Sequence, residues 1–125
     1  MDIGAWALDH SRSRGQKNIG KPAEAKLLQQ AIPNGTNICG LDERGKMLSS
    51  IEFANQLATL RDQGVAKLGF VIGGADGLDE GLKKSFNHSF SFGKIVWPHM
   101  LVRAMLCEQL YRAASILAGA PYHRE

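Results

Sequence analysis

The sequence has no apolar run near the ~18 residues that a membrane-crossing helix needs, so no membrane partner is expected. Its opening stretch, MDIGAWALDHSRSRG, lacks the apolar centre of a signal peptide. Cysteine is scarce. Cys39 and Cys107 stand far apart, each within an apolar run, and read as reduced core thiols of a cytoplasmic protein rather than a disulfide or a metal pair. His10, His88, His99 and His123 show no ligand spacing, so no metal is expected. No serine or cysteine has a plausible base beside it in sequence, which leaves covalent catalysis without support. No carboxylate pair stands out either. The cluster Gly73-Gly74-Ala75-Asp76-Gly77 is not followed by Gly-Lys-Ser/Thr and is not Gly-x-Gly-x-x-Gly, so it is neither of the common nucleotide-binding loops.

What is present fits one domain of 125 residues with a modest core. Fifteen basic residues against 12 acidic give a net charge of +3, a mild excess compatible with RNA. Part of that excess is local. From His10 to Lys21 the chain carries Arg12, Arg14, Lys17 and Lys21 with no acid between them, and glycines at 15 and 20. This segment reads either as a solvated loop or as an arm that contacts phosphates.

Met1 to Leu8 is ambiguous. Pro22 opens a helix to Ala31, with Leu27, Leu28 and Ile32 on its buried side. Thr36 to Leu41 reads as a buried strand that runs into a polar turn over Asp42–Lys46. Ser49 and Glu52 have the spacing of a capping box, and the helix they start ends at Gly64. Lys67 to Ile72 is a second strand, Asp79 to Phe86 a short helix, and Ser89 to Phe92 a third strand. Pro98 opens the last helix, which nothing breaks until Gly119 and Pro121. That helix is apolar over more than one narrow face and reads either as a core helix with a frayed polar end or as a helix packed against both the domain and a partner chain, with Leu106 and Leu110 as interface candidates.

Strands alternating with helices point to a parallel α/β sheet. In such sheets ligands bind beyond the C-terminal strand ends, here Leu41–Lys46, Gly73–Gly77 and Phe92–Trp97. Glycines 73 and 74 permit close backbone approach, and Phe92, Ile95, Val96 and Trp97 suit either an apolar slot or plain core packing. In the tail, His123 is the best general-base candidate, Arg112 and Arg124 suit phosphate oxygens, and Tyr122 suits stacking on a base. Glu108, four residues before Arg112, reads as its helix ion-pair partner.

Several blocks carry a resemblance: LDERGK at 41–46, FVIGGADGL at 70–78, WPHMLVR at 97–103, EQLYRA at 108–113, and the terminal HRE preceded by PY. From about Arg14 to its end the chain resembles the large-subunit ribosomal RNA pseudouridine N3-methyltransferases of the SPOUT class. The resemblance implies a parallel α/β fold with a C-terminal trefoil knot, S-adenosylmethionine as cofactor, and a homodimer. It also implies a pseudouridine of 23S rRNA in the assembled ribosome as target. By position it assigns the cofactor to Leu41, Gly73, Gly74, Phe92, Gly93, Lys94, Ile95, Val96 and Trp97. Arg12, Arg14, Lys17, Tyr122 and Arg124 are then expected to meet RNA, with His123, Arg112 and Arg124 as catalytic candidates. Relatives begin with a further strand and helix, and Met1 falls near the end of that unit, so the first strand–helix unit is expected to be missing. The alternative reading is a non-catalytic RNA-binding or ribosome-associated protein that keeps the fold.

Overall fold

The computed structural model describes residues 1–7, 21–73, 80–95 and 97–124. Arg12, Arg14, Lys17, Gly74 and Val96 therefore lie outside the described residues. The elements are β1 (Asp2–Ala7), α1 (Lys21–Ala31), β2 (Asn37–Met47), α2 (Ser50–Asp62), β3 (Lys67–Ile72), α3 (Glu80–Lys83), β4 (His88–Ser91) and α4 (His99–Leu117). The four strands form one sheet in the order β1-β3-β2-β4, and every pairing is parallel.

Handedness explains where the helices lie. The step from β1 to β2 and the step from β3 to β4 run across the sheet in one direction, and the step from β2 to β3 runs back. Right-handed crossovers then put α1 and α3 on one face and α2 on the other. The core divides accordingly. On one face Leu28, Ile32, Val71 and Leu82 form a cluster with Trp6, Ile38 and Phe86 against it. On the other, Cys39, Leu41, Phe53, Leu57, Leu68, Phe70, Ile72 and Phe90 pack with Val102 and Leu106 of α4. Alternate residues of β3 serve opposite faces, so its sequence reads as one continuous apolar run.

Several sequence expectations change. Residues 2–7 form an edge strand, paired in register with β3 from Asp2↔Lys67 to Ala7↔Ile72. The polar stretch after Leu41 is not a turn that ends β2. The strand continues to Met47, and its pairing with β4 breaks between Leu41 and Lys46, both of which face Phe90. Residues 42–45 are thus a bulge over β4. Asp42 is tied to α3 by Lys83 at 2.9 Å and accepts from the Arg44 N–H at 3.1 Å. Burial pushes the Asp42 carboxyl up, and these hydrogen bonds outweigh it, leaving it below its ordinary value.

Three helix and strand limits also move. Helix α3 stops at Lys83 because Ser85 and Phe86 turn back onto Leu82 and Lys83 through backbone bonds of 3.0 and 3.1 Å. Strand β4 starts one residue early, and Phe92 follows it as loop. Leu27 of α1 is exposed, not buried. Cys39 is fully buried as expected, but Cys107 is exposed, because α4 turns residue 107 away from α2.

Candidate functional site

Beyond the C-terminal ends of β2 and β4 lies a cavity of about 310 Å³. Its apolar wall includes Leu41, Met47, Leu48, Phe53, Phe90, Phe92 and Leu106, and its polar groups come from Ser49, Ser50, Ser91 and Gln109. This is the strand-end position at which open parallel sheets bind ligands, and the lining suits a flat apolar group with a few polar ends.

Local structure holds that wall in place. The Ser91 hydroxyl, buried at the end of β4, accepts from the Gly93 N–H at 3.0 Å. Its own proton serves the Gly93 carbonyl at 2.9 Å or the Glu43 carbonyl at 3.2 Å. One side chain thereby joins the β2 bulge to the loop after β4. Gly93 takes φ +114°, a conformation that L side chains rarely adopt. The N-terminus of α2 faces the same space. Ser49 caps it, accepting from the Glu52 N–H at 3.1 Å, while Glu52 Oε1 accepts from the Ser49 N–H at 2.9 Å. Hydrogen bonding from Ser49, its backbone N–H first and its side chain second, holds the Glu52 carboxyl below its ordinary value.

The sequence-expected cofactor residues divide. Leu41, Phe92 and Gly93 line the cavity. Gly73 is next to it, donating its N–H to the Leu41 carbonyl at 3.1 Å. Lys94 and Ile95 are exposed, and Trp97 packs against the larger core cluster. The Trp97 indole Nε1 is buried with no hydrogen-bond partner among the described residues. Sequence reasoning missed Ser50, Ser91 and Gln109. Only the placement of Ser49-Ser50 at a helix start and Ser91 at a strand end hinted at them.

The tail folds back on α4. Glu108 Oε1 accepts from Arg112 Nε at 2.8 Å and Nη2 at 2.6 Å, and from the Tyr122 hydroxyl at 3.3 Å. That carboxylate raises Arg112 above its ordinary value. Arg112 Nη1 lies 3.1 Å from His123 Nδ1, and the guanidinium sits 4.8 Å from the centre of the Tyr122 ring. Tyr122 meets Tyr111 edge to face at 4.8 Å. Two further bonds lead to the cavity: Gln109 Nε2 donates to Glu108 Oε2 at 2.9 Å, and the Ser50 hydroxyl donates to Gln109 Oε1 at 2.9 Å. Arg112, Tyr122 and His123 are brought together on α4 and linked to the cavity through Glu108 and Gln109, while Arg124 is exposed. Glu108 is more than the helix ion-pair partner its spacing suggests.

The chain thus has a parallel sheet with helices on both faces, a strand-end cavity and a C-terminal end folded back on α4. Residues 2–123 match the family described as predicted SPOUT methyltransferase, and the chain belongs to that family. It is similar to proteins named ribosomal RNA large subunit methyltransferase H. That of Dinoroseobacter shibae is 61% identical over 109 residues, covering 87% of this chain and 70% of the relative. That of Cereibacter sphaeroides is 57% identical over 122 residues, 98% of this chain and 78% of the relative. For Rhodospirillum centenum the identity is 50% over 123 residues, 95% and 81% of the two chains.

Proposed function

We propose that this chain is an S-adenosylmethionine-dependent methyltransferase of large-subunit ribosomal RNA, acting as a homodimer on N3 of a pseudouridine in the assembled ribosome. The observation that carries this reading is the hydrogen-bonded path Ser50–Gln109–Glu108–Arg112–His123, which joins a strand-end cavity to a polar, aromatic tail. The family match and the relatives' names support the class of reaction and the rRNA substrate. The same family reading implies that α4 threads a trefoil knot beneath the loop preceding it.

The cavity fits the cofactor. Its volume lies at the lower end of small-molecule sites, its floor is apolar, and Ser49, Ser50 and Gln109 offer polar groups at the rim. Gly93 and the indole of Trp97, which has no hydrogen-bond partner among the described residues, belong to the segment that the family resemblance assigns to the cofactor. When bound, the cofactor supplies an electrophilic methyl group. The residues of this chain have three tasks. Leu41, Phe92 and Gly93 hold one reactant, so that attack occurs in line. Tyr122 and Arg124, with Arg12, Arg14 and Lys17, meet the RNA by stacking and phosphate contact. Arg112 and His123 stand where negative charge develops as the target nitrogen loses its proton.

The test joins binding and transfer. Calorimetry is expected to show S-adenosylmethionine binding that Gly73→Val abolishes in a folded protein, because a branched side chain fills space beside Leu41. Single-turnover transfer of labelled methyl to unmethylated ribosomes is expected from the full chain and not from a chain lacking residues 122–125, whose cofactor affinity stays near that of the full chain. No binding at millimolar cofactor would remove the enzyme reading in favour of an RNA-binding protein. Full transfer without the tail would remove the tail's role.

A further inference from the structure

We propose that Arg112 fixes His123 as the tautomer that carries its proton on Nε2, so that His123 acts as a hydrogen-bond donor to an RNA base carbonyl and not as a general base. Glu108 is the positioning residue behind this arrangement. The inference rests on the proposed methyltransferase reading and specifies what one residue does within it.

The chemistry follows from the donor inventory. A guanidinium has five N–H donors and no acceptor, and it stays protonated. The contact of 3.1 Å between Arg112 Nη1 and His123 Nδ1 is a hydrogen bond only when Nδ1 presents its lone pair. The ring proton is then on Nε2. A neutral imidazole with Nδ1 engaged and Nε2 protonated has no free lone pair. It offers one donor, and that donor faces away from Arg112. The general-base role read from the sequence requires the opposite, a free ring nitrogen ready to take a proton.

Arg112 cannot swing to another partner cheaply. Glu108 holds its Nε and Nη2, and the same Oε1 accepts from the Tyr122 hydroxyl beside the bond to His123. The other carboxylate oxygen accepts from Gln109, which Ser50 holds from α2. The tautomer of a tail residue is thereby referred back to the wall of the cavity. In the reaction the proton on the attacking ring nitrogen passes to bulk water, and the negative charge it leaves spreads onto the flanking carbonyls. A fixed N–H aimed at one of those oxygens strengthens as charge builds, which is how a preorganised donor lowers a barrier.

The experiment has one structural arm and one kinetic arm. Nitrogen NMR of the wild-type protein with labelled histidine, assigned through His123→Gln, is expected to show a pyrrole-type Nε2 and a pyridine-type Nδ1 for His123. Glu108→Gln is expected to loosen that preference without changing cofactor affinity. In single-turnover transfer, His123→Ala is expected to lose on the order of 10²-fold in the rate at saturating ribosomes, as removal of one oxyanion donor does. His123→Gln, which keeps an N–H donor and cannot act as a base, is expected to recover most of that loss. A proton on Nδ1, or His123→Ala rescued by added imidazole while His123→Gln stays as slow as His123→Ala, overturns the proposal. So does a loss confined to the ribosome concentration needed, which marks a phosphate contact. If no His123 variant changes transfer while deletion of residues 122–125 abolishes it, the donor role alone fails. If the deletion is also harmless, the functional reading of the tail fails with it.

Discussion

Gly45 lies where the β2 bulge presses on its neighbour. A Cβ there would stand 2.6 Å from the carbonyl carbon and oxygen of Phe90 and 2.7 Å from its nitrogen. Those are backbone atoms of a paired strand, so they cannot yield as a flexible side chain would. Gly45→Ala is expected to cost about 1–3 kcal/mol, the usual range for overpacking. Because Phe90 and Ser91 line the cavity, the same variant is expected to weaken cofactor binding. Urea denaturation with parallel calorimetry checks both, and unchanged values in both would show that the bulge does not shape the site. Little of this was legible in the sequence. Asp42 to Lys46 has the composition of a turn, and composition does not tell a turn from a bulge whose polar residues are tied to α3 and β4. Leu41 and Phe92 were legible, because strand ends follow from the apolar runs that mark the strands. Gln109 was not, because which face of α4 meets the cavity depends on the packing of α2.

At the scale of elements, the start of α2 is the clearest case of local sequence fixing local structure. Ser49 and Glu52 exchange both bonds of a capping box, as their spacing predicts. Ser49→Ala is expected to lower stability by about 1 kcal/mol, the ordinary loss for an N-cap. The pH dependence has a definite sign. The folded Glu52 carboxyl lies below its unbonded value near 4.5, so its contribution is whole above that pH and is lost as the pH falls through the folded value. Ser49→Ala keeps the backbone N–H that is the larger cause of this shift and loses only the side-chain bond, so its acid loss of stability is expected to be smaller than that of the wild type but not abolished. Equal acid slopes in denaturant midpoints at pH 3 to 6, on the order of that titration range, would contradict this. Strand β1 is the opposite case. Residues 2–7 include Gly4, and nothing in their pattern declares a strand. Their conformation comes from pairing with β3, more than sixty residues later in the chain. Such non-local pairing has no short-range signal.

At the scale of the molecule, α4 has two apolar sides, and among the described residues only one is buried. Val102, Leu106 and Ala113 are buried, so Leu106 is corrected as an interface candidate, whereas Leu110 is half-buried, with part of its side chain against the core. The other side presents Met100, Ala104, Cys107, Tyr111, Ala114 and Ala118, all exposed and spaced three or four residues apart. This stripe supports the proposed homodimer, and the contact between Tyr111 and Tyr122 places the tail at its edge. Cys107 offers a probe within the stripe. Cys39 does not compete, because burial pushes its thiol up to about 12 and removes it from solvent. Sedimentation is expected to give a dimer at micromolar concentration, and Ala114→Glu, a charge set on the stripe, is expected to give a folded monomer. Thiol titration is expected to find Cys107 slow in the wild-type dimer, fast in Ala114→Glu, and Cys39 silent in both until the protein unfolds. A wild-type monomer at that concentration, or a Cys107 equally reactive in both proteins, would show that the stripe is not the interface.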